Sequence, residues 1–169
     1  MSVRPANLLL AIALGVLCAG PAAARSSDRQ QPMDIEAAHT TGTLDDREPT
    51  VFSGGVKIVQ GTLNIDADRA VVTLRGSDPV HAVLTGNQAV LKQQMDNGTP
   101  MTAKADRIDY DITGDVIVLT GNYTVTTQRG TTSGQRLTYN LKSGQVDSGG
   151  QDGGRVKMRI LPKSQRTQN

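Results

Sequence analysis

The chain has 169 residues, with 18 lysine and arginine residues against 16 aspartate and glutamate residues, so its formal net charge at pH 7 is only +2. Its aromatic residues are three tyrosines and one phenylalanine, and it has no tryptophan. Nucleic-acid-binding proteins combine basic patches with stacking aromatic side chains, so this composition argues against that class. The abundance of valine, isoleucine, leucine, threonine and glycine favours β-strands joined by tight turns.

The first 24 residues have the pattern of a secretory signal peptide. Arg4 supplies the positive charge, and the run LLLAIALGVLCAG forms a short apolar core. Ala22–Ala24 are the small residues that precede a cleavage site. The apolar run is short for a membrane span, so we expect cleavage after Ala24, with an uncleaved anchor as the alternative. Leu17 is too large for the usual lipoprotein pattern at Cys18. Since Cys18 is the single cysteine, the mature chain is expected to lack disulfides.

The rest of the chain contains a repeated unit. A truncated copy, MDIEAAH, occupies residues 33–39, and three longer copies begin with FSGG at Phe52, LTGN at Leu84 and LTGN at Leu119. Each longer copy has a glycine turn signal, an alternating segment, a second turn, a step in which Asp or Gln precedes Arg, and another alternating segment. The period of about 30 to 38 residues indicates a stacked β architecture.

Apolar and polar residues alternate inside each copy, as in Leu63, Ile65 and Ala67 against the polar residues between them. Alternation of period two is typical of a strand with one apolar and one solvated face. Asn97-Gly98 is a hairpin signal, and the glycine and asparagine of LTGN tolerate positive φ, so we expect the chain to bend or bulge there. We predict edge strands at Met33–Ala37 and Arg155–Leu161. The charges of the second could keep a free edge from aggregating or could meet phosphate groups.

The stretches QPMDIEA, FSGGVKIVQGTLNIDADRAVVT, QMDNGTPM, VIVLTGNYTV and LTYNLKSGQV span roughly Gln31 to Pro162. In this order, after a signal peptide, they resemble the organic-solvent-tolerance (OstA-like) family of periplasmic lipopolysaccharide-transport proteins. The resemblance implies an all-β fold, an open β-jelly roll of repeated short strands in which two facing antiparallel sheets form a splayed V. We therefore assign residues 1–24 to the signal peptide, 25–162 to the jelly-roll domain and 163–169 to a basic polar tail.

The resemblance also implies a function and a location. The protein would be a periplasmic carrier that holds the lipid A acyl chains of lipopolysaccharide in an apolar groove, without a cofactor and without enzymatic activity. Its partners would be the jelly-roll domains of the inner-membrane export complex and the outer-membrane translocon, together with further copies joined end to end. It would thereby bridge the two complexes and pass lipopolysaccharide on for outer-membrane assembly.

The expected groove residues come from two sources. Motif matches place Met33, Ile35, Leu91, Tyr110 and Ile112 in the family's groove. The alternation pattern adds a second set, Val56, Ile58, Leu63, Ile65, Leu119, Val125, Tyr139 and Leu141. Simple core packing explains each of these residues equally well, because core and groove coincide in this fold. Leu91 stands where the family can carry a larger aromatic residue, which implies a looser local contact.

Metal binding and catalysis have less support in the sequence. His39 and His81 lie far apart without an acid at ligand spacing, so we predict no metal site, and the sequence shows no catalytic motif. The acid pairs Asp66 with Asp68 and Asp109 with Asp111 are expected on the polar face of a strand. Two alternatives to a carrier remain, a β-solenoid scaffold that joins envelope proteins without cargo, and a periplasmic hydrolase. The hydrolase would need converging acid or base residues, which the sequence does not offer.

Overall fold

The computed structural model of the chain describes residues 28–43, 47–95, 97–149 and 154–163. The expected signal peptide at 1–24 and residues 164–169 of the expected tail lie outside these ranges. Ten strands are present: β1 Met33–Glu36, β2 His39–Thr41, β3 Thr50–Gln60, β4 Leu63–Arg75, β5 Asp78–Gln94, β6 Pro100–Asp111, β7 Val116–Thr127, β8 Gly130–Asn140, β9 Val146–Ser148 and β10 Lys157–Ile160. Among these residues, no helix has the length and apolar character needed to cross a membrane.

All strands belong to one antiparallel sheet with the order β1-β3-β4-β5-β6-β7-β8-β10, in which β2 also pairs with β3 and β9 with β8. This arrangement confirms the all-β fold and its antiparallel pairing. The strands β3 to β8 are 11 to 17 residues long, which is longer than the short strands expected from the sequence. The short alternating segments are the two halves of single long strands.

A line of β-bulges crosses the sheet and divides it into two half-sheets. The register shifts lie between Ser53 and Val56 in β3, and at corresponding positions in the pairs β4–β5, β5–β6, β6–β7 and β7–β8. Half-sheet A comprises residues 39–41, 50–53, 69–75, 78–85, 107–111, 116–120, 136–140 and 146–148. Half-sheet B comprises residues 33–36, 56–60, 63–67, 89–94, 100–105, 123–127, 130–134 and 157–160. Bulges bend strands, and the apolar faces of the half-sheets meet in one hydrophobic cluster.

The repeated motifs of the sequence meet each other along this line of bulges. The carboxylate of Asp68 accepts a hydrogen bond from the backbone N–H of Asn87 at 2.8 Å, and that of Asp106 accepts one from the side-chain amide of Asn122 at 2.8 Å. Gly121 and Asn122 have φ values of 78° and 46°, as expected for a bulge, whereas in the first LTGN copy the positive φ, 66°, falls on Gln88 rather than on Gly86 or Asn87. A Cβ at Gly121 would lie 2.6 Å from the Asp106 carboxylate. Each LTGN segment therefore receives the aspartate that precedes the arginine of the neighbouring strand.

The N-terminal end of the sheet is covered by the residues that precede β1. Asp28 is buried and accepts a hydrogen bond from the hydroxyl of Thr62, in the β3–β4 turn at the free rim of half-sheet B. Arg29 forms an ion pair of 2.9 Å with Asp115, in the β6–β7 turn at the free rim of half-sheet A. This short segment therefore joins the β3–β4 rim of half-sheet B to the β6–β7 rim of half-sheet A.

Candidate functional site

A cavity of about 300 Å³ lies between the half-sheets at the opposite, C-terminal end. Half-sheet B and its β5–β6 turn contribute Leu91, Met95, Met101, Ala103, Val125, Thr127, Thr132 and Met158, and half-sheet A with the turn after β8 contributes Ile117, Leu119, Leu137, Tyr139, Gly144, Val146 and Ser148. Most of these side chains are aliphatic. Such a surface binds flexible hydrocarbon through burial of apolar area and requires no directed chemistry.

Side-chain size and polarity change with depth on half-sheet B. Strand register defines three inward-facing levels: Val56, Ala67, Ala89 and Ala105 next to the bulges, then Ile58, Ile65, Leu91 and Ala103, and then Gln60, Leu63, Gln93 and Met101 toward the rim. Alanine is most frequent where the sheet bends. Amide side chains occur only in the level at the rim.

The structure brings all thirteen expected groove residues into one hydrophobic cluster. Nine are buried, namely Val56, Ile58, Leu63, Ile65, Leu91, Tyr110, Leu119, Tyr139 and Leu141, while Met33, Ile35, Ile112 and Val125 are partly buried against them. Of the thirteen, Leu91, Leu119, Val125 and Tyr139 line the cavity. The other nine pack elsewhere in the cluster. Lipid contact by any of them remains a prediction.

The sequence analysis missed several residues of the cavity wall. Met101 and Ala103 on β6, Ile117 on β7 and Leu137 on β8 are buried and line the cavity. The same alternation rule could have identified them, since Met101 and Ala103 are the apolar members of the stretch PMTAKA. Met158 was assigned to an edge strand, but its position on the cavity wall depends on the pairing of β10 with β8.

Several charged groups near the cluster have hydrogen-bond partners. Arg107 donates two hydrogen bonds of 2.7 Å to the carboxylate of Asp109, and these bonds raise the pKa of Arg107. The pKa of Asp111 is lowered because its carboxylate accepts hydrogen bonds from the Gly114 backbone N–H and the Thr113 hydroxyl. No group of three or more metal-ligating side chains occurs within the described ranges.

Tyr110 is the large buried side chain whose ionisation is most affected by this environment. Burial and, to a smaller extent, the negative charges of Asp115 and Asp111 raise its pKa to about 12, while the positive charge of Arg29 acts in the opposite direction. The phenol is therefore neutral at physiological pH, and the surface formed by Tyr110 remains uncharged.

The two edges of half-sheet B carry opposite charges. On β1, Asp34 and Glu36 are exposed and alternate with the partly buried Met33 and Ile35. On β10, Lys157 and Arg159 alternate with Met158 and Ile160, and all four are exposed. Both predicted edge strands are confirmed. Exposed strand edges are sites where another strand can pair.

Comparisons with known proteins agree on one family. Residues 34–145 match the family described as LptA/(LptD N-terminal domain) LPS transport protein. The chain is 31% identical over 166 residues to the lipopolysaccharide export system protein LptA of Escherichia coli (strain K12), covering 96% of this chain and 89% of that protein. It is 28% identical over 161 residues to LptA of Haemophilus influenzae, covering 92% of each.

A crystal structure shows the same fold. LptH, described as the LptA homologous periplasmic component of the conserved lipopolysaccharide transport device from Pseudomonas aeruginosa, matches with a TM-score of 0.72 and 23% identity. The match covers 80% of this chain and 99% of LptH. It confirms that the open bent sheet is a fold shared with a solved protein.

Proposed function

Because the chain belongs to the LptA/LptD N-terminal-domain family of lipopolysaccharide transport proteins, we propose that it is a periplasmic lipopolysaccharide carrier. The acyl chains of the lipid would lie between the half-sheets, and the sugars would remain in water at the mouth. No catalytic step is required for this function. The protein would act as a passive conduit.

The observation that carries this proposal is the apolar cavity at the C-terminal end. The cavity reaches side chains that are open to solvent, since Val146 is 54% exposed and Met158 is 65% exposed. Burial of each methylene group stabilises a complex by roughly 0.8 kcal/mol, so several methylenes of one acyl chain suffice for binding. The hydrocarbon has a direct path from the end of the sheet into the cavity.

The charged edges support end-to-end association of copies within the same proposal. Strand β1 is antiparallel to β3, and β10 is antiparallel to β8. Because β3 and β8 run in opposite directions, β1 and β10 also do, so β10 of one copy and β1 of the next would pair antiparallel. One register would set Lys157 opposite Glu36 of the second copy, and Arg159 opposite its Asp34. Oppositely charged pairs across strands are favourable.

The apolar faces of the two edges fit the same register. Met158 would lie opposite Ile35 of the second copy, and Ile160 opposite its Met33. Met158 and Ile160 are exposed in the single chain, and this pairing would cover them. The groove of one copy would then continue into the next, which is how a chain of copies could bridge an inner-membrane export complex and an outer-membrane translocon.

The experiment that tests the carrier is a binding titration of the mature protein with lipopolysaccharide. Val125 is partly buried and lines the cavity, while Thr124, the preceding residue, pairs with Lys104 and Ser133 on the outer face. We expect Val125→Glu to weaken binding at least tenfold, because a carboxylate in an apolar groove must be desolvated or displace the acyl chain. Thr124→Glu should bind like the wild type.

Circular dichroism and a thermal melt establish that both variants are folded. Equal affinity of Val125→Glu and wild type in folded proteins would contradict the proposal. That result, together with end-to-end association independent of lipid, would favour the scaffold without cargo.

A further inference from the structure

A second cleft lies at the rim of half-sheet B, between the β5–β6 turn and the β7–β8 turn. This rim cleft has a volume of about 210 Å³ and is lined by Met95, Asn97, Thr99, Thr127, Gln128 and Arg129. Met95 and Thr127 also line the apolar cavity, so the rim cleft adjoins the cavity at these two residues. Arg129 lines a further cleft together with Val125 and Met158, which also belong to the cavity wall. Arg129 therefore lies beside the apolar cavity.

Hydrogen bonds hold both turns of the rim cleft. In the β5–β6 turn, the Met95 N–H donates to the Thr99 backbone oxygen at 2.8 Å, and the Gly98 N–H donates to the Met95 oxygen at 2.7 Å. In the β7–β8 turn, the Thr127 hydroxyl accepts a hydrogen bond of 3.2 Å from the Arg129 N–H. The two turns are neighbours because β6 pairs with β7. The polar side chains of the cleft are therefore carried by a defined backbone.

The rim cleft offers hydrogen-bond donors and a positive charge. The side-chain oxygen of Asn97 already accepts bonds of 3.1 Å and 2.6 Å from Thr99, which leaves its NH₂ group available to donate. Gln128 and Arg129 are exposed, and neither side chain has a hydrogen-bond or ion-pair partner within the described ranges. None of the described residues that line the cleft is acidic. This set of side chains is suited to an anion.

The number of donors favours a phosphate group over a carboxylate. A phosphate monoester carries more than one negative charge at neutral pH and has three strong acceptor oxygens. An arginine guanidinium can donate two parallel hydrogen bonds to such a group, and the amide groups of Asn97 and Gln128 can occupy its remaining oxygen. A carboxylate would leave one of these donors without an acceptor.

We propose that the rim cleft binds a phosphate group of an acylated head group while the acyl chains of the same molecule lie in the apolar cavity. This inference rests on the proposed function, since it requires acyl chains in the cavity. It assigns Arg129 as the cationic residue of a head-group subsite. The cavity holds hydrocarbon by burial and cannot distinguish a phosphorylated lipid from the same lipid without phosphate. The rim cleft supplies that distinction.

The test compares lipid A with dephosphorylated lipid A, which has the same acyl chains and lacks the phosphate groups. Their affinities for the full mature protein are measured by displacement of a fluorescent fatty acid at physiological ionic strength. We expect the wild type to bind lipid A roughly three- to tenfold more tightly, because the charge-assisted hydrogen bonds form at an exposed site that salt partly screens. Inorganic phosphate is titrated separately by phosphorus NMR. We expect no binding of it at the concentration at which lipid A saturates the protein.

The decisive variant is Arg129→Gln, which removes the positive charge from an exposed position. It should bind dephosphorylated lipid A like the wild type and lose most of the preference for lipid A. Arg129→Lys keeps the charge without the two parallel donors and should retain part of the preference. The matched control is Arg75→Gln, because Arg75 is an exposed arginine at the β4–β5 turn on the rim of half-sheet A. This control removes the same charge and should keep the full preference.

Several results would overturn the inference while leaving the carrier intact. They are equal binding of the two lipids by the wild type, a preference that survives in Arg129→Gln, and an equal loss of preference in Arg75→Gln. Binding of inorganic phosphate as tightly as lipid A would also overturn it, because the cleft would then be a site for free phosphate. Binding of neither lipid by the wild type would overturn the proposed function as well, so the two failures are distinguishable.

Discussion

The two ends of the bent sheet are built from the same kind of strand but are covered differently. At the N-terminal end, the segment from Asp28 to Gln31 contacts β3 and the β3–β4 turn, and Ile58 and Ile65 are 0% exposed. At the C-terminal end, the cavity opens between the half-sheets, and Ile160 on the edge strand is 66% exposed. An inward-facing aliphatic stripe is therefore closed core at one end and accessible wall at the other, depending on which part of the chain covers it.

The largest expected effect is a loss of stability when a side chain in the closed core is truncated. We expect Ile65→Ala to reduce the free energy of unfolding by about 2–5 kcal/mol, because it removes buried methylene groups and leaves a cavity in closed core. Urea denaturation followed by circular dichroism measures the change.

The matched change at the other end is Ile160→Ala. Because Ile160 is exposed, its truncation should change the free energy of unfolding of the monomer by no more than about 0.5 kcal/mol. Similar losses in the free energy of unfolding for Ile65→Ala and Ile160→Ala would contradict the description of one end as closed core and the other as accessible.

The next effect concerns the charged edges. Lys157→Glu combined with Arg159→Glu should weaken end-to-end association about tenfold, since both proposed ion pairs become repulsive. Adding Asp34→Lys and Glu36→Lys to the same chain should restore association, which sedimentation velocity at low salt can measure. Failure of this charge exchange to restore association would contradict the proposed register.

The environment of Tyr110 predicts a pH dependence. Since its folded-state pKa of about 12 lies above its ordinary value of 10.0, the unfolded state loses its proton first. The stability contributed by the protonated phenol is complete below pH 10 and is lost as the pH rises through this window. Absorbance at 295 nm should show a tyrosinate component with a midpoint near 12 that is missing in Tyr110→Phe. A Tyr110 component with a midpoint near 10 would contradict the packing described.

A smaller loss of stability than that of Ile65→Ala is expected at the N-terminal segment. The ion pair between Arg29 and Asp115 has side chains that are 22% and 18% exposed, so we expect Asp115→Asn to cost about 0.5–1 kcal/mol. Hydrogen exchange should become faster in the β3–β4 and β6–β7 turns and remain unchanged in β9 and β10. Equal acceleration at both ends would show that the segment does not close one end specifically.

Much of this architecture follows from local sequence patterns. Alternation identified strand faces, glycine and asparagine marked the turns, and LTGN identified the bulges, because these signals act within a few residues. The edge strand at 155–161 was also recognisable from its alternation. The family resemblance supplied the open shape.

The remaining features depend on contacts between distant segments. The contacts of Asp28–Gln31 with the β3–β4 turn and the position of Met158 on the cavity wall arise from segments that are not joined by a single turn. Sequence alternation could not separate Ile65 in closed core from Leu91 on the cavity wall, since both are inward-facing aliphatic residues in paired strands.

The most direct test of the central claim, that acyl chains occupy the C-terminal cavity, is site-specific photocrosslinking. A photoreactive residue is placed at Val125 in one mature protein and at Thr124 in another, and each is irradiated with lipopolysaccharide. We predict a lipopolysaccharide adduct at Val125 and none at Thr124. Absence of an adduct at Val125 in a folded protein, or equal adducts at both positions, would contradict the account.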